Sequence, residues 1–206
     1  MKLQKGMKPV ISAGHGGMIF KVYQCLAGGK QYTHKNGKTI HEGVINRMMA
    51  SKLMWKLYLL EVPFGELQLA VEDMSLSKRV AKFNKMYAKD KDIYLFSIHN
   101  NAGKGKGSEA WTSKGQTKSD IICDKILENI EQEFSIAKMR YDTSDGDRDK
   151  EANYTMVKDT NGPAMIFEFG FFDSSDIEWL LNDTKIDELL DIVALSMQNI
   201  YLNGIL

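Results

Sequence analysis

The chain has 206 residues, 43% hydrophobic and 26% charged, which is enough for one globular domain with a two-sided core and too apolar for a disordered one. Its 27 Lys and Arg balance 27 Asp and Glu, so no global basic field recommends nucleic acid or an anionic membrane as a partner. Only two cysteines occur, Cys25 and Cys123, far apart and outside any CxxC pair, which argues against a disulfide framework or a cysteine zinc site.

In chain order, residues 1–6 read as a short tail and Met7 to Ala13 as a buried strand. Ala27 to Lys38 carries Gly28-Gly29 and Asn36-Gly37 and reads as loop or hairpin. From Glu42, Ile45, Met48, Met49, Leu53 and Leu57 recur at helical spacing to about Leu60. Glu66 to Val71 alternates as a second strand. Ser75 caps a helix to Ala88, with Leu76, Val80, Phe83, Met86 and Tyr87 as its core contacts. Ile93 to Ile98 is a third strand, Ser108 to Thr112 a fourth, Ser119 to Phe134 a helix, and Ala164 to Phe169 a fifth strand. Ser175 or Asp176 opens a closing helical region that ends near Leu202.

Strands alternating with helices call for βαβ units. The expected fold is α/β, a single three-layer sandwich with a mostly parallel twisted sheet and helices on both faces. Residues 7–206 form one domain, with no linker, repeat or second module. No apolar run reaches membrane-spanning length and no signal-peptide core is visible, so the expectation is synthesis in the cytoplasm with no secretory address and no membrane insertion.

Two histidines then stand out. His15 follows the first strand and His99 the third, and ligands of open parallel sheets bind outside the carboxyl ends of strands. Glu168 closes the apolar run from Pro163, and Glu42 lies in the first turn of its helix. Two imidazoles and one carboxylate make the His₂Glu set of hydrolytic zinc, and a further carboxylate beside the water supplies a general base. The residues alone leave a plainer reading open: a histidine after a strand is commonly a loop or core residue, and Glu42 suits a helix N-terminus electrostatically.

The motifs around these residues add a resemblance. Ile11-Ser12-Ala13-Gly14-His15-Gly16-Gly17, Glu42 with Asn46, Ser75-Leu76-Ser77-Lys78-Arg79 with Asn84, Ser97-Ile98-His99-Asn100-Asn101-Ala102, Gly107-Ser108-Glu109-Ala110-Trp111 and Gly162 to Phe171 follow in order. Together they resemble the zinc-dependent N-acetylmuramoyl-L-alanine amidases of cell-wall turnover and phage lysis, over about Lys8 to Leu202. The resemblance implies one zinc per chain held by His15, Glu42 and His99, with Glu168 as the catalytic base. It implies a peptidoglycan substrate, cleaved between N-acetylmuramic acid and L-alanine, by an enzyme that acts on the wall after release. Ser12, where the family commonly has an acidic residue, and Phe169, where it has a small one, depart from the pattern. Residues 21–38 match no motif, and no separate wall-binding domain is visible.

Two alternatives accompany that reading: a zinc carboxypeptidase or aminopeptidase acting on wall peptides, and a non-catalytic wall-binding module. Asn101 either contacts substrate or shapes the turn after His99. His41 competes with Glu42 as a ligand but points elsewhere on the helix. His34 reads as a surface histidine, and Arg79 as a tie between its helix and the sheet. Asp142 to Asp149 fails the EF-hand pattern, since Tyr141 falls where the first carboxylate belongs, and reads as a solvated loop bordering the cleft. Lys104 and Lys106 lie in a flexible glycine-rich loop beside His99.

Overall fold

Three continuous apolar runs form the centre of the molecule, as strands covered on both faces must. The computed structural model describes residues 6–144 and 146–204. In chain order it contains β1 (Lys8–Ala13), a hairpin of β2 (Met18–Ile19) and β3 (Val22–Tyr23), and a second hairpin of β4 (Gln31–Thr33) and β5 (Thr39–His41). Then come α1 (Glu42–Leu59), β6 (Gly65–Gln68), α2 (Leu76–Lys89), β7 (Ile93–Asn101), β8 (Glu109–Thr112) and α3 (Lys118–Glu133). The chain continues through β9 (Lys150–Glu151), α4 (Thr155–Lys158), β10 (Ala164–Phe171), α5 (Ile177–Leu180) and α6 (Asp183–Asn203). One six-stranded sheet runs in the order β6-β1-β7-β10-β8-β9. Its pairs are parallel except β8, which lies antiparallel to β10.

Side chains alternate across the sheet with period two, and the two faces meet different layers. Ile11, Phe96, Ile98, Phe167 and Phe169 join the larger core with Leu53 of α1, Ile126 of α3 and Leu190 of α6. Val10, Leu95 and Ala164 point the other way, into a smaller core with Phe83 of α2 and with Met156 and Val157 of α4. Ser97 and His99, Ile166 and Glu168, and Glu109 and Trp111 alternate onto that second face. The thinner layer there leaves the carboxyl ends of β7 and β10 open to a cleft. No helix among the described residues is long and apolar enough to cross a membrane.

Several expectations need correction. The third strand runs on to Asn101, so His99 lies within it and not just beyond it, and the fifth, which holds Glu168 as expected, runs on to Phe171. The second strand stops at Gln68, because Gln68 turns its amide onto the carbonyls of Ala70 and Glu72. Leu76 is 53% exposed and lines the cleft instead of the core. The closing helical region breaks at Asn182, whose side chain accepts the Lys185 N–H and caps a new helix. Residues 1–5 of the expected tail lie outside the described residues, and Gly6 is buried with its N–H on the Tyr201 carbonyl at 2.7 Å.

Candidate metal centre and cleft

Four segments meet where β1 and β7 end. After β1 the chain turns sharply, with His15 in the left-handed region at φ 59°. That backbone is costly for a residue with a Cβ and persists only where its surroundings fix it. Here the fixing groups are arginines. Arg79, 3% exposed, donates to the carbonyls of Ala13 (2.7 Å) and His15 (3.2 Å), to Ser12 Oγ and to Asp73 Oδ1 at 2.9 Å, and Arg47 donates to the His15 carbonyl as well. Ser12 thus accepts from Arg79 at the position where the family pattern has an acid. Gly14 is required by packing: a Cβ there would overlap the imidazole of His99.

Glu42, the first residue of α1, is 1% exposed. The partial positive charge of a helix N-terminus favours its carboxylate. Its Oε1 is held by Asn46 Nδ2 at 3.2 Å and faces His99 Nδ1 at 3.1 Å, while Asn46 also donates to the Gly14 carbonyl. Asn100 in turn donates to Asn46 Oδ1 at 2.9 Å. The other oxygen, Oε2, lies 3.3 Å from His15 Nε2 and 3.9 Å from Lys30 Nζ. The two imidazoles meet edge to face with centroids 5.2 Å apart.

One ligand atom from each of His15, Glu42 and His99 falls within 4.8 Å of the other two, a group able to hold a metal ion. His15 Nε2 and Glu42 Oε2 are buried and make no hydrogen bond among the described residues, which is the condition a cation between them relieves. Burial pushes the Glu42 carboxyl up, but the close approach of His15 and His99 outweighs that and holds it well below the usual carboxylate range. Burial keeps His99 below the usual imidazole value against the pull of Glu42. An ionised carboxylate beside a neutral imidazole is the protonation state that ligation needs.

Glu168 sits opposite His99 across β7 and β10, and opposite Glu109 across β10 and β8. Its Oε2 is buried without a hydrogen-bond partner among the described residues. Burial, then the negative charges of Glu42 and Glu109, push its carboxyl well above the usual range against Lys30. A cleft of about 630 Å³ runs from His15, Lys30 and His99 to Glu168, Trp111 and Tyr154.

Glu109 was not among the sequence candidates, although it lies in one of the quoted motifs. It accepts from Asn101 Nδ2, Arg140 Nε and Lys150 Nζ, each at 2.8 Å. Nothing local in the sequence announces these partners, since they come from three separate segments. Asn101 therefore shapes its surroundings through Glu109 while also lining the cleft. His41 stacks on Tyr23 with centroids 4.6 Å apart, outside the ligand group, and His34 faces the Phe172 carbonyl at 3.2 Å. None of the described residues of the acidic loop lines this cleft: Asp149 is 1% exposed and takes the Thr112 hydroxyl, and after the loop the next lining residues are Asn153 to Met156.

A family model described as N-acetylmuramoyl-L-alanine amidase matches residues 10–199. No curated protein sequence matches. Among solved structures, an N-acetylmuramoyl-L-alanine amidase from Clostridium difficile 630 superposes with a TM-score of 0.73 at 22% identity, over 96% of this chain and 97% of that one. The catalytic domain of the amidase CwlV from Bacillus (Paenibacillus) polymyxa var. colistinus gives 0.68 at 19% identity, over 96% and 99%. The catalytic domain of CD27L, an endolysin targeting Clostridia difficile, gives 0.62 at 14% identity, over 94% and 97%.

Proposed function

Since the chain belongs to the N-acetylmuramoyl-L-alanine amidase family and is a peptidoglycan hydrolase, we propose that it works with one zinc ion held by His15, Glu42 and His99 and with Glu168 as its general base. The observation that carries this reading is the convergence of the three ligand atoms on one point of the cleft that Glu168 also faces. When bound, zinc supplies a Lewis acid that polarises the scissile carbonyl and acidifies water.

The chain's own residues do the rest. Asn46 and His99 fix one oxygen of Glu42, which leaves its second oxygen, 3.3 Å from His15 Nε2, as the atom that would hold the ion together with the imidazoles. Glu168 Oε2, free of other hydrogen bonds among the described residues, takes the proton of the attacking water and returns it to the departing amine of L-alanine. Burial and the neighbouring carboxylates raise its proton affinity, which strengthens it as the acceptor of the water's proton. The bond broken joins the lactyl group of the muramic acid to the stem peptide, and the site of action is the cell wall.

Two variants test the assignment. Glu168→Gln is expected to keep one zinc per chain by elemental analysis and to lose about a thousandfold in muropeptide hydrolysis. His15→Ala is expected to lose the metal. Full activity in the first, or unchanged zinc content in the second, refutes the corresponding role.

A further inference from the structure

The cleft has a second end, away from the metal ligands. Trp111 on β8 and Tyr154, the residue before α4, both line it, with ring centroids 5.3 Å apart and planes at 67°. That angle makes an open corner instead of a closed stack. The indole is fixed: its N–H donates to Glu109 Oε1 at 3.3 Å, and Lys150 Nζ lies 5.2 Å from the ring centroid. Tyr154 is 48% exposed, so its ring offers a face to whatever enters. Asn153 and Thr155, neutral hydrogen-bonding groups, line the cleft on either side of it.

Charge separates the two ends. Lys150, beside the indole, is committed to Glu109, as is Arg140. At the opposite end Lys30 is exposed, with its ammonium 3.9 Å from Glu42 Oε2. An aromatic corner flanked by amide and hydroxyl groups fits the apolar CH face and the hydroxyls of a sugar, whereas a stem peptide brings carboxylates that suit an exposed cation such as Lys30. Register gives the spacing. Glu109 lies two strands from His99, about 10 Å across the sheet, with Trp111 one further step along β8. A muramoyl ring with its lactyl arm bridges a gap of that order.

We propose that Trp111 and Tyr154 form a pyranose platform that binds the glycan strand, so that the substrate lies with its sugars toward Tyr154 and its stem peptide toward Lys30. An N-acetylated amino-sugar ring stacks on the tyrosine face, its acetamido methyl meets the indole, and Asn153 and Thr155 bond its polar groups. This inference rests on the amidase reading and adds the direction in which the substrate lies.

The test uses the intact, zinc-loaded chain and a peptide-free β-1,4-linked N-acetylglucosamine oligomer. Expected are a saturable change in tryptophan fluorescence that is absent from Trp111→Phe, and competitive inhibition of muropeptide cleavage. Tyr154→Ala, at an exposed position that does not threaten folding, is expected to weaken the oligomer and raise KM for muropeptide about tenfold, with a smaller change in kcat, while Tyr154→Phe retains both. Three results overturn the platform: no oligomer binding to the wild type, equal binding to Tyr154→Ala, or a Tyr154→Ala defect seen with a sugar-free stem peptide in place of the oligomer. Oligomer binding is read without catalysis, so a wild-type chain that binds the oligomer but leaves the amide bond intact refutes the zinc–Glu168 mechanism and spares the platform.

Discussion

Replacing Arg79 by Met removes one of the two arginines that hold the His15 turn, and the size of the effect follows from what is left behind. The guanidinium pairs with Asp73 at 2.9 Å, with the two side chains 3% and 7% exposed. It also donates to the carbonyls of Met74, Ala13 and His15. Methionine fills much of the volume but leaves the Asp73 carboxylate without its cation, with the Leu26 N–H on its other oxygen, and removes the Arg79 donor from the Met74 and Ala13 carbonyls. Breaking a buried pair from one side costs about 4 kcal/mol. For a chain of this length that lowers the melting temperature by about 8 to 16 °C. The positioning effect is separate: with the Ala13 carbonyl released and the His15 carbonyl left to Arg47 alone, zinc affinity falls about tenfold. Thermal unfolding by circular dichroism in chelator reads the first effect, and chelator competition reads the second. The Asp73→Asn, Arg79→Met double variant is expected to recover part of the loss, because the stranded charge is gone. A drop of less than about 3 °C in Arg79→Met, or no recovery in the double variant, refutes the reasoning.

Gly14→Ala pushes a methyl into the His99 imidazole and is expected to lower zinc affinity more than about tenfold at unchanged far-UV circular dichroism. Unaltered zinc binding would show that the ring has room to move. Asp149 gives a pH signature. Its burial, with Asp147, Asp120 and Asp124 nearby and against the Thr112 hydroxyl, pushes its carboxyl up to about 7. The folded chain then keeps a proton that the unfolded chain releases near pH 4, so the stability this group contributes is full below about pH 4 and lost as pH rises through about 7. Asp149→Asn keeps an acceptor for Thr112 and is expected to match wild type at pH 4 and exceed it by about 2 kcal/mol at pH 8. Melting curves that stay parallel across that range would refute the burial argument.

The central strands were legible because burial on both faces leaves an apolar run that no other element of that length imitates, as in Ile93 to Ile98. Glu42, His15 and His99 were legible as residue types at element ends, and a helix starting at Glu42 is what the structure contains. Where sequence reading stopped, the cause is tertiary or too short to show a period. The β2–β3 hairpin turns through Phe20 (φ 46°) and Lys21 (φ 66°), positions where glycine or asparagine would have signalled it. The two residues of β9 and four of α4 carry no periodicity of their own. Asp149 sits in a run of charges that reads as solvated, and only packing against Thr112 makes it interior. Glu109 is defined by Arg140 and Lys150, which are remote in sequence.

The reversed direction of β8 sets how substrate range can change. A parallel strand would begin at the far edge of the sheet, and a long crossover would have to carry the chain there. Because β8 runs back beside β10, the short stretch from His99 to Trp111 supplies groups to both ends of the cleft. Its connecting loop, residues 102–108, is tied to the body through the Gly103 and Lys104 N–H groups on Asp173 and the Gly107 N–H on Asp176. Length changes between those anchors would reshape one rim without moving His15, Glu42 or Glu168. That makes the loop a natural place to graft new wall chemistries onto an unchanged hydrolytic centre.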